Sequence, residues 1–309
     1  MISLDKVDKS YQRDFWVPAF KALDNVSFQI KSGEITGFLG ANGAGKTTLI
    51  KTILGFIKQD KGEIRTSPEL GKNRYEFLSK IGYMPERPYF YPNLTGDEFV
   101  AFLADLSGVP RKLMKERRKT LGEKLRIDHA LQRKLKTYSK GMLQRVGLLS
   151  AIIHAPRLLI LDEPLSGIDP IGRKEMKDII VDLHKQGTSI FFSSHIVPDM
   201  EEICDSVVFL EKGRLIYQGS VDELIHKNSS KNFLLTIKRS ENDIQEMQYG
   251  KVIQENNDIR ILEVKPEDKT KVLDFCLKKN LEVLGLGRQK LTLEEVVYNV
   301  KGHEVVGGD

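Results

Sequence analysis

The run Gly40-Ala41-Asn42-Gly43-Ala44-Gly45-Lys46-Thr47, with Thr48 behind it, constrains this chain more than any other stretch. It satisfies the pattern of glycine, four residues, then Gly-Lys-Thr in full. Glycines let the backbone wrap closely around phosphates and turn its N–H groups inward, at a helix N-terminus whose dipole favours anions. Lys46 then neutralises the β- and γ-phosphates, and Thr47 offers its hydroxyl to Mg²⁺. The flanks agree with this reading. Residues 33–40 read as a short buried strand ending in a glycine-rich turn, and residues 46–54 carry helical character up to Gly55. The pattern predicts a strand, a phosphate loop and a helix, with Gly40, Asn42, Gly43, Ala44, Gly45, Lys46, Thr47 and Thr48 as nucleotide contacts.

A phosphate loop needs acids to complete it. Leu158-Leu159-Ile160-Leu161 is an apolar strand ending in Asp162-Glu163, and Ser189-Ile190-Phe191-Phe192 is another buried strand. Asp162, at a strand end, is expected to hold Mg²⁺ through water, and Glu163 to polarise the attacking water. Apolar strands interleaved with helices predict an α/β fold with a parallel sheet covered on both faces.

Between these strands, over about residues 86–153, strand signals disappear. Residues 112–125 and 143–153 look helical, which predicts an inserted helical subdomain. Its segment Arg111-Lys112-Leu113-Met114-Lys115-Glu116-Arg117-Arg118-Lys119 is basic, and Leu113, Leu121 and Leu125 are spaced to share one face. A solvated helix face is preferred there over binding to anionic lipid or nucleic acid. Residues 226–232 are polar and rich in helix breakers, marking a linker. Beyond it, strands at 233–238, 259–264 and 281–286 alternate with helices at 241–249 and 267–279. This predicts a small α+β domain of ferredoxin-like type over residues 233–309, following an ATPase domain over 1–225.

Length and composition fit that partition. At 309 residues the chain exceeds one compact domain and falls short of two full ATPase cores. Hydrophobic residues at 40% and charged residues at 29% exclude a disordered chain. The net charge of +5 neither demands nor excludes a nucleic-acid partner. Cys204 and Cys276 lie far apart without close Cys or His companions, which removes zinc-finger and disulfide-framework readings and suits a reducing cytosol. No apolar run approaches the roughly 20 residues that span a bilayer. The opening Met1-Ile2-Ser3-Leu4-Asp5-Lys6 does not read as a signal peptide. A chain of this kind that moves a solute needs a pore from another chain.

A family resemblance becomes specific at Tyr138-Ser139-Lys140-Gly141-Met142-Leu143-Gln144-Arg145, which resembles the signature motif of ATP-binding cassette (ABC) proteins. Ser166-Gly167-Ile168-Asp169 resembles their D-loop, His195 their switch histidine, and Tyr11 their adenine-stacking aromatic. The resemblance covers about residues 2–225. It implies a P-loop ATPase core in which a parallel sheet carries an antiparallel β part. It further implies that Ser139 and Gly141 reach across a head-to-tail dimer to the γ-phosphate held by a partner's P-loop, and that His195 senses that phosphate. ATP and Mg²⁺ are the implied cofactors. The implied partners are a second cassette subunit, as a homodimer, and an integral-membrane permease, with the protein peripheral on the inner face of the cell membrane.

Several positions depart from the family pattern. Tyr138, Lys140 and Met142 stand where Leu, Gly and Gln are commonest. In Ile81-Gly82-Tyr83-Met84-Pro85-Glu86 the last position usually carries Gln; Glu86 still accepts a water bound to Mg²⁺ but adds negative charge. The aromatics Tyr89-Phe90-Tyr91 either fill the groove where a permease helix docks or cover the core between subdomains. Beside Tyr11, Phe15 and Trp16 are alternative partners for the base. The single cassette and the C-terminal extension, ending with residues 291–298, resemble bacterial exporter ATPases. Within these, residues 136–142 are similar to subunits serving nitrous-oxide reductase copper-site maturation. The competing class, cassette ATPases acting on nucleic acid or ribosomes, carries paired cassettes, long coiled-coil insertions or zinc-binding cysteines, none of which is visible here; no nucleic-acid partner is expected.

Overall fold

The computed structural model describes residues 1–12, 16, 18–87, 90–228, 232–238, 249–256, 258–288 and 293. The chain divides into two compact units, Met1–Val221 and Asp222–Asp309.

The first unit opens with β1 (Ile2–Tyr11), β2 (Phe20–Ile30) and the buried β3 (Ile35–Leu39), followed by α1 (Lys46–Ile53) and β4 (Lys61–Thr66). After α2 (Arg74–Ser79) and β5 (Ile81–Met84) come three helices, α3 (Gly96–Leu106), α4 (Arg111–Lys124) and α5 (Lys140–Ile152). Then β6 (Leu158–Leu161), α6 (Pro170–Lys185), β7 (Ser189–Ser194) and α7 (Val197–Ile203) alternate, before the hairpin of β8 (Ser206–Glu211) and β9 (Arg214–Ser220). Six strands form one sheet in the order β5-β6-β7-β3-β8-β9. All its pairs are parallel except β8 with β9. A second, antiparallel sheet has the order β2-β1-β4.

The two sheets share an apolar core. Phe28 of β2, Phe38 of β3 and Phe191 of β7 stack, with the Phe38 and Phe191 ring centroids 5.2 Å apart. β3 and β6 are buried at every position, as strands covered on both faces must be. Gly37 in β3 is forced by packing: a Cβ there would lie 2.3 Å from the Met200 Sδ of α7. Its absence lets α7 lie directly on the sheet.

The helices at residues 112–125 and 143–153 are found as α4 and α5, whereas α3 was not anticipated. Its start was nonetheless written in the sequence as a capping box. Thr95 Oγ1 accepts from the Glu98 N–H at 3.1 Å, and the Glu98 carboxylate accepts from the Thr95 N–H at 2.8 Å. Of the face expected on α4, Leu125 at its C-cap is fully buried and Leu113 and Leu121 are half-buried, while Met114 and Gly122 are buried beside them.

In the second unit, β10 (Phe233–Lys238), β11 (Lys251–Glu255), β12 (Ile259–Val264) and β13 (Val283–Arg288) form an antiparallel sheet in the order β11-β12-β10-β13. Taken from β10 as the first strand, this is the order 2-3-1-4, that of a ferredoxin-like sheet. α9 (Lys269–Lys278) contributes Val272 and Cys276 to a core with Leu235, Ile237, Leu262 and Val264. β11 was not anticipated. The helix expected over 241–249 and the extension 291–298 fall outside the described residues, save Tyr249 and Leu293. α8 (Val221–Asn228) runs into the expected linker, so residues 226–228 are helical.

Candidate functional site

Strand order decides where the motifs meet. β6, β7 and β3 are neighbours, so their carboxyl ends bring Asp162 and Glu163, His195, and the phosphate loop together at one edge of the sheet. A cavity of about 520 Å³ opens there, lined by Tyr11, Phe20, Ala22, Ala41, Asn42, Gly43, Gly45, Lys46, Thr47, Thr48, Glu86, Glu163, Ser166 and His195.

The loop owes its shape to Gly45, which sits at φ 106 as the N-cap of α1. A Cβ at that position would lie 2.5 Å from the Ala22 carbonyl oxygen, so both strain and space demand glycine. Lys46 is buried and donates to the Gly40 carbonyl at 2.6 Å. Its ammonium also pairs with Glu163 Oε1 at 3.1 Å. That carboxylate oxygen is buried and has no hydrogen-bond partner, so the pairing is ionic contact without hydrogen-bond geometry. The other oxygen, Glu163 Oε2, lies 2.9 Å from His195 Nδ1. A carboxylate only accepts, so Nδ1 carries the proton between them. Glu163 itself holds φ 51, a left-handed backbone that a side-chain-bearing residue rarely adopts.

Thr47 Oγ1 donates to Asp162 Oδ2 at 2.9 Å, and Ser193 Oγ donates to Asp162 Oδ1 at 2.7 Å. Ser193 Oγ also accepts the Glu163 N–H at 2.9 Å. Ser193 therefore ties the two acids together, a role the sequence did not disclose. Burial pushes the Asp162 carboxyl above its ordinary 3.8; the Ser193 and Thr47 hydroxyls oppose this, and the Glu163 and Glu86 carboxylates add to it. A cation would relieve that penalty. The donors suit Mg²⁺, which takes one or two carboxylates and a hydroxyl and leaves other positions to phosphate oxygens and water. Among the described residues no three acidic, His or Cys side chains gather into a metal cage.

Tyr11 lies opposite Phe20 across β1 and β2, and both rings line the cavity. Trp16 is 95% exposed and lines nothing there, and Phe15 falls outside the described residues. Phe20 is the aromatic the sequence reading missed; its only signal was its place at the start of an alternating strand. Ser139, Gly141 and Asp169 do not line this cavity. Ser139 is exposed and caps α5, accepting from the Met142 N–H at 3.3 Å. Asp169 caps α6, accepting from the Gly172 N–H at 2.6 Å. Lys140 folds over the Gly167 turn of the D-loop, and Tyr138 is buried with its hydroxyl donating to the Ala130 carbonyl at 2.6 Å.

A second cavity, of about 440 Å³, lies between the sheet and the helical subdomain. Tyr83, Tyr91, Phe102, Leu103, Leu106 and His154 are among its lining residues. Phe90 packs edge-on against Phe99 at 5.2 Å, whereas Tyr91 meets Phe102 at 6.0 Å and stays exposed. The aromatic run therefore divides between covering the core and lining the groove; Tyr89 falls outside the described residues. Burial pushes the Tyr83 hydroxyl up to about 12, with the Asp162 charge adding to it.

These features define a P-loop nucleoside triphosphatase with the cassette arrangement. The family described as ABC transporter matches residues 23–166. An uncharacterized ABC transporter ATP-binding protein of Nostoc sp. is 41% identical over 221 residues, covering 70% of this chain and 65% of that protein. The uncharacterized ABC transporter ATP-binding protein YxlF of Bacillus subtilis is 33% identical over 303 residues, 97% of this chain and 99% of that one. The bacitracin transport ATP-binding protein BcrA of Bacillus licheniformis is 40% identical over 213 residues, 67% of this chain and 68% of its own. A solved ATP-binding subunit of an ABC transporter superposes with a TM-score of 0.64 at 28% identity, covering 74% of this chain and 92% of that chain. The chain belongs to the ATP-binding subunits of ABC transporters and is an ATPase of that family. No described helix is long and apolar enough to cross a membrane. The finer likeness to nitrous-oxide reductase maturation subunits has no counterpart among these relatives.

Proposed function

We propose that two copies of this chain close head to tail on two ATP molecules and that their hydrolysis drives a separate membrane permease, in the direction of export. The observation that carries this reading is the linked network around the phosphate loop, in which Lys46, Glu163 and His195 form one chain of contacts and Thr47, Asp162 and Ser193 the other. Lys46 exchanges its carbonyl and carboxylate contacts for the β- and γ-phosphate oxygens, and the N–H groups from Gly43 to Thr48 surround them. Thr47 and Asp162, with Glu86 nearby, would hold Mg²⁺, which when bound would supply neutralisation of the charge on the transferred phosphoryl group. Glu163, released from Lys46, accepts the proton of the water that attacks the γ-phosphorus as the bond to the ADP oxygen breaks. His195 orients Glu163 through Nδ1–H, and donation from Nε2 to the γ-phosphate requires the doubly protonated ring. Tyr11 and Phe20 stack on the base.

Ser139 and Gly141 complete the partner copy's site. Ser139 is exposed and Gly141 half-buried at the N-terminus of α5, which supports this reading, since a hydroxyl and backbone N–H groups there favour a phosphate. The groove at Tyr91, Phe102 and Leu106 suits a permease helix, and the likeness to a bacitracin transport ATP-binding protein supports a role in transport. Glu163→Gln tests the assignment: it should retain ATP binding, lose hydrolysis by about 10²–10⁴-fold, and accumulate an ATP-dependent dimer in sedimentation. Adding Ser139→Ala should dissolve that dimer. Unchanged steady-state phosphate release from Glu163→Gln would remove Glu163 as the base. Copurification with a multi-span protein from detergent-solubilised membranes tests the partner; recovery with RNA or DNA instead would overturn transport.

A further inference from the structure

We propose that the exposed face of α4 is a binding surface for anionic lipid headgroups, holding the groove that the permease would fill against the membrane. The proposal rests on that groove reading for its purpose, and on independent observations for its chemistry.

α4 borders the groove at two points. Ser107 lines the groove and the helix begins four residues later at Arg111. One turn and a half further, Arg117 donates to the Ile153 carbonyl at 3.0 Å, directly beside His154 of the groove wall. The Arg117 charge acts on His154, whose imidazole is held below its ordinary 6.5 mainly by burial. The first turns of α4 therefore run along the rim.

What the helix turns outward is cationic. Met114 and Gly122 face inward, Arg117 is taken by Ile153, Arg118 pairs with Asp97, and Lys124 pairs with Asp182 at 3.1 Å. Arg111, Lys112, Lys115 and Lys119 are exposed, and none has an ion-pair partner among the described residues. Arg111, Lys115 and Lys119 fall at i, i+4 and i+8, with Lys112 three residues before Lys115, so the four cations lie along one stripe about 12 Å long. Two exposed acids, Glu116 and Glu123, stand four residues after Lys112 and Lys119, so the four cations outnumber the acids on this face two to one. A solvated helix face ordinarily mixes signs, as i,i+4 pairing favours. Here like charges stand one turn apart, which costs helix stability unless an anionic surface meets them. A basic residue near an anionic bilayer raises partitioning by roughly fivefold, so four aligned ones together give on the order of several hundredfold at low salt. The occupant is a bilayer because the stripe belongs to the helix that runs along the rim of the groove a membrane-embedded permease would fill, and its net charge is complementary to anionic headgroups.

The test is sedimentation of the full chain with vesicles of phosphatidylcholine alone and of phosphatidylcholine mixed equally with phosphatidylglycerol. No permease is present, so lipid binding is read separately from permease docking. The chain should bind only the mixed vesicles, and high salt should release it. Replacing Arg111, Lys112, Lys115 and Lys119 by Gln should abolish binding while ATPase activity persists. A control with the same charge change elsewhere, at Lys58, Lys61, Lys72 and Lys185, should bind as before. Lys→Arg at 112, 115 and 119 should also preserve binding. Equal loss in both Gln variants, equal binding to both vesicle types, or stronger retention of the stripe by single-stranded RNA would each overturn the proposal. If the stripe variant still copurifies with a permease, docking survives and only the lipid contact is separated from it.

Discussion

At the scale of single residues, Asp162 holds its position at a cost to stability. Asp162 is buried with its carboxyl pushed above 3.8, so the folded chain keeps that proton to higher pH than the unfolded chain. Below 3.8 both states are protonated and there is no penalty. As pH rises through the window up to the folded value, the unfolded chain loses its proton first and stability falls. Asp162→Asn does not titrate. It should therefore melt higher than the natural chain at neutral pH, with the difference closing at acid pH, while Mg²⁺-dependent hydrolysis is lost. A pH-independent difference in melting curves would count against burial of the charge as the cause. Ser193→Ala leaves the buried Glu163 N–H without its acceptor, which costs about 1–3 kcal/mol in urea unfolding. Glu86→Gln removes a negative charge that Asp162 feels and should shift the Mg²⁺ concentration needed for half-maximal hydrolysis. No shift would leave Glu86 a structural residue.

At the scale of elements, local sequence and tertiary contact divided the work unevenly. The strand, loop and helix around Lys46 were legible because glycine spacing and buried apolar runs are local signals. β10 and β12 were legible to the residue, since short runs rich in Leu, Ile, Phe and Val stand there between polar segments. α3 was missed although Thr95 and Glu98 spell its cap, because its apolar positions are surrounded by loop-like glycine and proline. Thr95→Ala should lower stability by about 1 kcal/mol, read by chemical denaturation. β11 was missed because it is an exposed edge strand without a hydrophobic face to give it a period. Gly45→Ala places a Cβ against the Ala22 carbonyl at a positive φ and should abolish nucleotide binding in equilibrium titration. Gly141→Ala meets nothing within 4 Å in its own chain and should bind ATP normally.

At the scale of the whole molecule, that same Gly141→Ala tests assembly. A methyl group added to the surface offered to a second copy should prevent ATP-dependent dimerisation while leaving the monomer intact. Dimers forming at natural ATP concentrations would move the partner contact away from α5. The two compact units predict that a chain ended after Asn228 still binds ATP, since every described residue lining the nucleotide cavity lies before Val221.

By itself the sequence determined that a phosphate loop, an acid-ended strand and a signature motif occur in one order, and with them the family and its chemistry. Those are properties of short segments, fixed by backbone freedom and residue type. Only the tertiary structure decided that Ser193 links Asp162 to Glu163, that Phe20 joins Tyr11, and that Asp169 caps a helix outside the cavity. Each of these depends on which strands are neighbours and which helix lies on them. Contacts between residues distant in sequence are set by packing, which no local pattern records.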